Sequence, residues 1–470
     1  MNIYCTMDVL NISNNIDLTD PTDPSLNIIC TKKSYIGSEI DQLRVAICGS
    51  ADSGKSTLTG VMTGSELDDG RGSARRRILR HGHEKESGKT STISYNYIKY
   101  DSKEISLFDL AGQEKYIKIT TRGLVGHNID YAIVVIGSNM GITPITREHI
   151  TLLLWQKIPF VILFTKIDMC PPHLYAENLT RIKNMPKNMS RRNTLTGQFM
   201  LNKTCRVLDS DDAFGHFFAN CNNPSFFDSN IPVIPISCKT GMNIDRLHVM
   251  FSVLTHRVNT LYENVDNSNI FAYIEHVYTV PGIKLVITGF LDQGCAPISV
   301  GTNMYVGMIN GNLLSVRVRS LHDNFRNLVQ TILPGQNFCA NIHVKGKFNL
   351  QRCHFNKGSF VTTRQESALR VSKRFRARIQ IILSKNTIGI NYTPVIHCRT
   401  ICQSARLIHI EQINDELLTG AQIDSAIPIN AEAIVVFEFD RHAEYIEPGA
   451  PLFLRDGSTK GSGTMIEHLY

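Results

Sequence analysis

The residues Gly49-Ser50-Ala51-Asp52-Ser53-Gly54-Lys55-Ser56, followed by Thr57, satisfy the spacing G-x-x-x-x-G-K-[ST]. Glycines at the two fixed positions let the backbone bend so that successive N–H groups converge on phosphate oxygens. Lys55 adds a point charge, and the Ser56 hydroxyl suits a Mg²⁺ ion. The apolar run Val45-Ala46-Ile47-Cys48 directly precedes the loop, as a strand-loop-helix context requires. A chance Gly/Ser-rich turn has the same letters, so the rest of the chain must carry the assignment.

Three later segments add to it. Asp109-Leu110-Ala111-Gly112 closes the apolar run Ile105 to Phe108, placing a carboxylate at the carboxyl edge of the expected sheet, where ligands of open α/β sheets bind. Asp109 would hold Mg²⁺, through a water, and the Gly112 N–H would sense the terminal phosphate; a solvent-facing turn is the plain alternative. Thr165-Lys166-Ile167-Asp168 follows the run Phe160 to Phe164 and fits [NT]-K-x-D. The Asp168 carboxylate can accept both N1–H and N2–H of guanine, a pair that adenine lacks, while Lys166 lays its stem over the base. Ser237-Cys238-Lys239, weak alone, would reach the guanine carbonyl through a backbone N–H. Four segments in this order, each at a strand end, point to GTP and GDP.

These residues need a scaffold. With 470 residues the chain is too long for one core, and about 150 residues per domain suggests roughly three domains. A hydrophobic share of 42% and a charged share of 19% are those of a globular protein. No apolar run reaches membrane-spanning length, and residues 1 to 30 lack the pattern of a secretory signal, so a cytoplasmic location is expected. The 12 cysteines show no Cys-x-x-Cys, and Cys398 and Cys402 near His397 are the only close pair; reduced core thiols are expected. His397 and His409 read as barrel residues, not ligands. A net charge of +7 permits an RNA partner without demanding one, and no DNA partner is expected.

Residues 1–40 read as a loose, acidic, proline-bearing extension. From 41 to 260, runs at Arg44–Cys48, Ile105–Phe108, Tyr131–Ile136, Phe160–Phe164 and Pro232–Ile236 alternate with helix-like stretches, the rhythm of a doubly wound, mostly parallel α/β sheet. Thr143-Pro144 is a helix start. Beyond 260 the pattern changes to short alternating strands, such as Gly282–Gly289 and Ile434–Phe439, which suits two antiparallel β-barrels at 265–366 and 370–470. The boundary falls near the polar Arg364-Gln365-Glu366-Ser367. Arg71, Arg75, Arg76, Arg77 and Arg80, with His81 and His83, would meet RNA phosphate or form a solvated, mobile loop. The polar stretch 172–230, with Phe226-Phe227, has no assigned chemistry.

The ordered set Gly49–Ser56, Asp109–Gly112, Thr165–Asp168 and Ser237–Lys239 resembles that of the translational GTPases related to elongation factor Tu. The stretches Asp109–Tyr116, Val135–Gly141 and Phe164–Pro171 are most similar to the GTP-binding protein 1 subfamily. Pro281-Gly282, Thr288-Gly289 and Gly294 resemble the signature of that family's second domain, and Leu454–Gly457 with Gly463-Thr464 the close of its third. The resemblance implies a P-loop GTPase domain followed by two barrels, and Mg²⁺-assisted hydrolysis of GTP. It also implies work on the ribosome, with an RNA, tRNA or release-factor-like cargo, in elongation, rescue or termination. A nucleotide-gated module in RNA turnover or signalling is the alternative.

The same resemblance makes Thr90, in Ser87-Gly88-Lys89-Thr90, a third Mg²⁺ ligand beside Ser56 and Asp109. Lys55, Thr90 and Gln113 are then the residues expected to serve hydrolysis. The family usually carries histidine where Gln113 stands, and bulkier apolar side chains where Ala51 and Lys89 stand. A glutamine amide can still donate to and accept from an attacking water.

Overall fold

The computed structural model describes residues 41–469, apart from 65, 80–83, 85–89, 101–102, 191–199, 201, 257–267, 293, 310–311, 346–349, 365–370, 385–387, 415, 418–425 and 458. The expected extension 1–40, Ser87–Lys89, Arg80, His81, His83 and most of the barrel boundary lie outside the described residues.

The chain opens with β1 (Asp41–Gly49), α1 (Lys55–Gly64), α2 (Ser73–Ile78), β2 (Ser94–Lys99), β3 (Lys103–Asp109), α3 (Ile117–Gly126), β4 (Tyr131–Gly137) and α4 (Pro144–Trp155). It continues through β5 (Phe160–Thr165), α5 (Pro172–Lys183), α6 (Met185–Ser190), β6 (Thr204–Val207), α7 (Asp211–Asn220), α8 (Pro224–Ser229), β7 (Asn230–Pro235) and α9 (Ile244–Val253). The strands lie in the order β2-β3-β1-β4-β5-β7-β6, with only the β2–β3 pair antiparallel. Burial follows the two-residue strand period. Leu43, Val45 and Ile47 enter one core while Ala46 and Cys48 enter the other, and Ile133 and Val135 alternate likewise with Val134 and Ile136. Helices therefore cover both faces, as a parallel sheet requires.

The expected strands form, each within a few residues of its expected bounds, and two more appear. The edge strand β2, Ser-Tyr-Asn-Tyr-Ile-Lys, is only partly buried. Four-residue β6 lies in the 172–230 stretch, which also supplies α5 to α8; Phe227 packs into the core and Phe226 against it. Thr143 caps α4 by accepting from Thr146 N at 3.2 Å, with Pro144 in the first turn. Of the basic run, Arg75, Arg76 and Arg77 lie on α2 and not in a loop.

Two closed barrels follow. In spatial order the first contains Asn303–Ile309, Phe360–Thr362, Phe271–Val280, Lys284–Phe290, Asn337–Val344 and Asn312–His322, the last pairing back onto the first. The second contains Val395–Cys398, Pro451–Asp456, Thr459–Leu469, Arg374–Leu383, Glu432–Phe439 and Ile401–Ile413, closed the same way. One apolar cluster runs through both.

Polar and aromatic contacts dock them on the sheet domain. Glu275 of the first barrel receives Arg44 of β1 at 2.6 Å and His127 at 2.9 Å. Glu148 of α4 meets Lys460 of the second barrel at 2.8 Å, and Trp155 packs on Phe453 with centroids 5.2 Å apart. Among the described residues no helix is long and apolar enough to cross a membrane.

Candidate nucleotide site

The carboxyl ends of β1, β3, β5 and β7 share one edge of the sheet, so residues far apart in sequence meet there. From β1 the chain turns through Gly49–Gly54 into α1, whose first turn carries Lys55, Ser56 and Thr57. Lys55 is buried, and its Nζ donates to Ser50 O at 2.7 Å. Ser53 Oγ also donates to Ser50 O, at 2.9 Å. Asp52 is exposed at the loop tip with φ 60. The loop is thus held by its own short side chains.

Gly112 packs directly on this loop. Its carbonyl accepts from Ala51 N at 2.9 Å, and a Cβ at this position would lie 2.3 Å from Lys55 Nζ and 2.7 Å from Ala51 N. Only glycine allows so close an approach. Gln113 follows, half-buried and extended, before a short 3₁₀ turn at Glu114–Tyr116. It lines a small cavity of about 40 Å³ together with Lys55, Ser56, Thr90 and Gly112.

Three oxygens converge beside Lys55. Ser56 Oγ donates to Asp109 Oδ2 at 2.6 Å and lies 2.8 Å from Thr90 Oγ1, which lies 3.4 Å from the same carboxylate oxygen. Asp109 is fully buried, and its Oδ1 has no hydrogen-bond partner among the described residues. Burial pushes the Asp109 carboxyl above its ordinary range, opposed by Lys55 and the two hydroxyls. Burial likewise lowers Lys55, opposed first by Asp109. Hard oxygen donors with a spare buried carboxylate oxygen fit Mg²⁺.

At the other end, Asp168 Oδ1 accepts from Ser237 Oγ at 2.7 Å, and that hydroxyl accepts from Thr240 N at 3.1 Å and Lys239 N at 3.3 Å. This lattice fixes the carboxylate's rotamer. Lys166 sits at φ 61, with its carbonyl accepting from Ser138 Oγ at 3.0 Å. Thr165 ends β5 beside the phosphate loop. It is buried and donates to Ser53 O at 2.6 Å, tying β5 to the phosphate loop. Cys238 gives its carbonyl to Asp68 N at 2.9 Å, and burial pushes its thiol up to about 12.

Some contributors carried no readable motif. His149, inside α4, is fully buried, and its Nδ1 accepts from Gly49 N at 3.1 Å. Burial, and then the Lys55 charge, lowers this imidazole to about 3. One histidine on an apolar helix gives no signal for that role. Asp68 and Asp69 organise the approach to α2, and the Asp69-Gly70 dipeptide is a turn signal that points to them. By contrast, His397 and Cys398 are buried, and no group of three His, Cys, Asp or Glu side chains suited to a metal occurs among the described residues.

The family model for the elongation factor Tu GTP binding domain matches residues 41–270. GTP-binding protein 1 of Xenopus laevis is 31% identical over 464 residues, covering 93% of this chain. The chain spans 65% of that relative's length. GTP-binding protein 2 of Homo sapiens is 30% identical over 477 residues, covering 96% of this chain and 73% of the human protein. Among solved structures, translation elongation factor SelB from Methanococcus maripaludis, in complex with the GTP analogue GppNHp, shares the fold at a TM-score of 0.64 and 18% identity. That match covers 92% of this chain and 80% of the factor. Fold and sequence together define a GTPase-type protein of the elongation factor Tu class. Within that class the chain belongs to the family of GTP-binding proteins 1 and 2.

Proposed function

We propose that this protein binds GTP at the β1, β3, β5 and β7 edge and hydrolyses it to GDP and phosphate, acting as a nucleotide switch in translation in the cytoplasm. The observation that carries the reading is the meeting of Thr90 with Ser56, 34 residues away in sequence, at 2.8 Å and above the Asp109 carboxylate. Such a meeting is what a terminal phosphate would reinforce and its loss would release.

Each residue has a defined task. Asp168, held by Ser237, selects guanine, and Lys166 covers the base. The loop amides and Lys55 hold the phosphates, while Thr165 keeps the loop seated. Ser56, Thr90 and Asp109 would hold Mg²⁺, which when bound neutralises charge on the phosphates. Gly112 lies close enough to Lys55 for its N–H to reach the terminal phosphate. Gln113 orients the attacking water, donating and accepting through its amide. Catalysis then rests on positioning and charge, with little covalent work for the protein.

A cleft of about 980 Å³ between the sheet domain and the first barrel supports an RNA or tRNA cargo. Tyr95, Tyr97, Tyr278 and Phe325 line it together with Lys99 and Arg326, and aromatic rings with cations suit unstacked bases. A release-factor-like protein is the competing cargo. Pull-down with GTP against GDP distinguishes a tRNA from a protein partner.

Gln113 supports a second reading, a nucleotide-gated module in RNA turnover or signalling with negligible turnover of its own. Multiple-turnover phosphate release with and without ribosomes separates the two. Stimulation by ribosomes supports the translational role; absence of turnover in both, with GTP bound, supports the module; absence of GTP binding overturns both.

A further inference from the structure

The loop before α2 is built to a fixed shape. Asp68 accepts from Gly70 N at 2.9 Å and Ala74 N at 3.0 Å, and Asp69 accepts from Arg71 N at 2.7 Å and Ser73 N at 3.1 Å. Asp68 N is itself tied to the loop after β7 through Cys238 O. The first turn of α2 is therefore anchored to the rim of the nucleotide site, not adrift over it.

Three arginines leave this short helix with different fates. Arg76 is exposed, and Arg77 pairs with Glu66 at 2.5 Å. Arg75 is half-buried and lines the same 40 Å³ cavity as Lys55, Ser56, Thr90 and Gln113. Its guanidinium has no acidic partner among the described residues. It reaches the cavity by folding back over Gly72, which sits at φ 89; a Cβ there would lie 2.5 Å from Arg75 Nε. A backbone position that only glycine fills comfortably thus serves the placement of one cation.

We propose that Arg75 is an intrinsic phosphate-binding arginine that contacts the terminal phosphate of bound GTP and stabilises the charge of the transition state. This rests on the GTPase reading above and extends it. In the reaction a water oxygen bonds to the γ-phosphorus, and the bond to the β–γ bridging oxygen breaks with its electron pair leaving on GDP. The products are GDP, inorganic phosphate and a proton. Charge spreads over the equatorial oxygens during transfer, and a planar, permanently charged guanidinium matches them with two donors. An arginine supplied by the same chain needs no partner protein to deliver it. It would supply charge stabilisation at a site where Gln113 orients the water.

The test compares wild type with Arg75→Ala, Arg75→Lys and, as a control on the same helix, Arg76→Ala. GDP affinity is measured by calorimetry alone and with aluminium fluoride, whose complex on GDP mimics the transferring phosphoryl group. The expected result is GDP affinity within about twofold in all variants. With Arg75→Ala the fluoride complex weakens about 100-fold, and kcat drops by roughly 10³. Arg75→Lys restores part of the complex, and Arg76→Ala forms it like wild type. An unchanged fluoride complex in Arg75→Ala, an equal loss in Arg76→Ala, or a parallel loss of GDP and fluoride complex overturns the assignment. Loss of RNA binding with the fluoride complex intact overturns it too, in favour of a nucleic-acid contact. Failure of wild type to bind GDP at all would instead remove the underlying GTPase reading.

Discussion

Gly49 donates its amide hydrogen to Nδ1 of His149 across 3.1 Å, so α4 fixes the first residue of the phosphate loop from below. The neighbouring Glu148 is held by Lys460 and Arg455 of the second barrel, at 2.8 and 3.4 Å. One helix therefore meets the phosphate loop and a barrel through adjacent residues.

His149→Ala is expected to cost about 2–4 kcal/mol at pH 7, because it opens a core cavity and leaves the Gly49 N–H unpaired. The native imidazole titrates near 3, against 6.5 for an ordinary histidine. Between those values the unfolded chain binds a proton that the native state refuses. The contribution of neutral His149 is thus complete above pH 6.5 and is lost as pH falls, by at most about 1.4 kcal/mol per unit. Urea unfolding at pH 7 and pH 5 should show the gap between wild type and variant narrowing at the lower pH; a constant gap would contradict it.

Asp168→Asn is expected to weaken GTP binding by roughly 10- to 100-fold, since an amide cannot accept both guanine N–H groups. Xanthosine triphosphate, which presents a carbonyl where guanine has N2–H₂, should gain affinity. Calorimetric titration with both nucleotides decides it, and unchanged GTP affinity removes Asp168 from base recognition.

Gln113→Ala should slow hydrolysis by about 10-fold or more while GTP affinity changes by less than about threefold, because the amide acts on water, not on the bound nucleotide. Single-turnover phosphate release compared with equilibrium titration separates the two effects. Equal turnover in the two proteins would rule the residue out.

Glu275→Ala should destabilise the junction between the sheet domain and first barrel. Arg44 is 1% exposed, its guanidinium lying 4.5 Å from the Phe290 ring centroid and 5.0 Å from that of Phe108, and Glu275 is its partner. Removing one member of a buried pair costs about 3–5 kcal/mol. Burial alone would raise the Glu275 carboxyl, but Arg44 and His127 hold it far below its ordinary 4.5. Its contribution is accordingly present above pH 4.5 and lost in acid. Scanning calorimetry should resolve two transitions in the variant at pH 7 where wild type shows a more cooperative one; identical melting profiles would contradict this.

Read from residues alone, the phosphate loop, the Asp109 turn, the Thr165–Asp168 segment, the parallel sheet and both barrels were legible. Each is a local pattern: fixed glycines, a carboxylate ending an apolar run, or a two-residue alternation. The strands β2 and β6 escaped because an edge strand is only half-buried and a four-residue strand carries too little alternation to register. Thr165 was legible as part of its motif, but the partner of its hydroxyl, Ser53 O, was not.

What the chain determined by itself is which groups are available and the order in which the strands deliver them to one edge. Tertiary structure alone decided the partners: His149 beneath Gly49, Ser237 on Asp168, Thr90 over Ser56, and Arg75 folded across Gly72 into the phosphate cavity. Those pairs are separated by 100, 69, 34 and 3 positions respectively. The first three depend on the spatial arrangement of the strands in the sheet and on helix packing, which no local spacing encodes. The last depends on a positive φ, which becomes meaningful only when the fold places a cation above it.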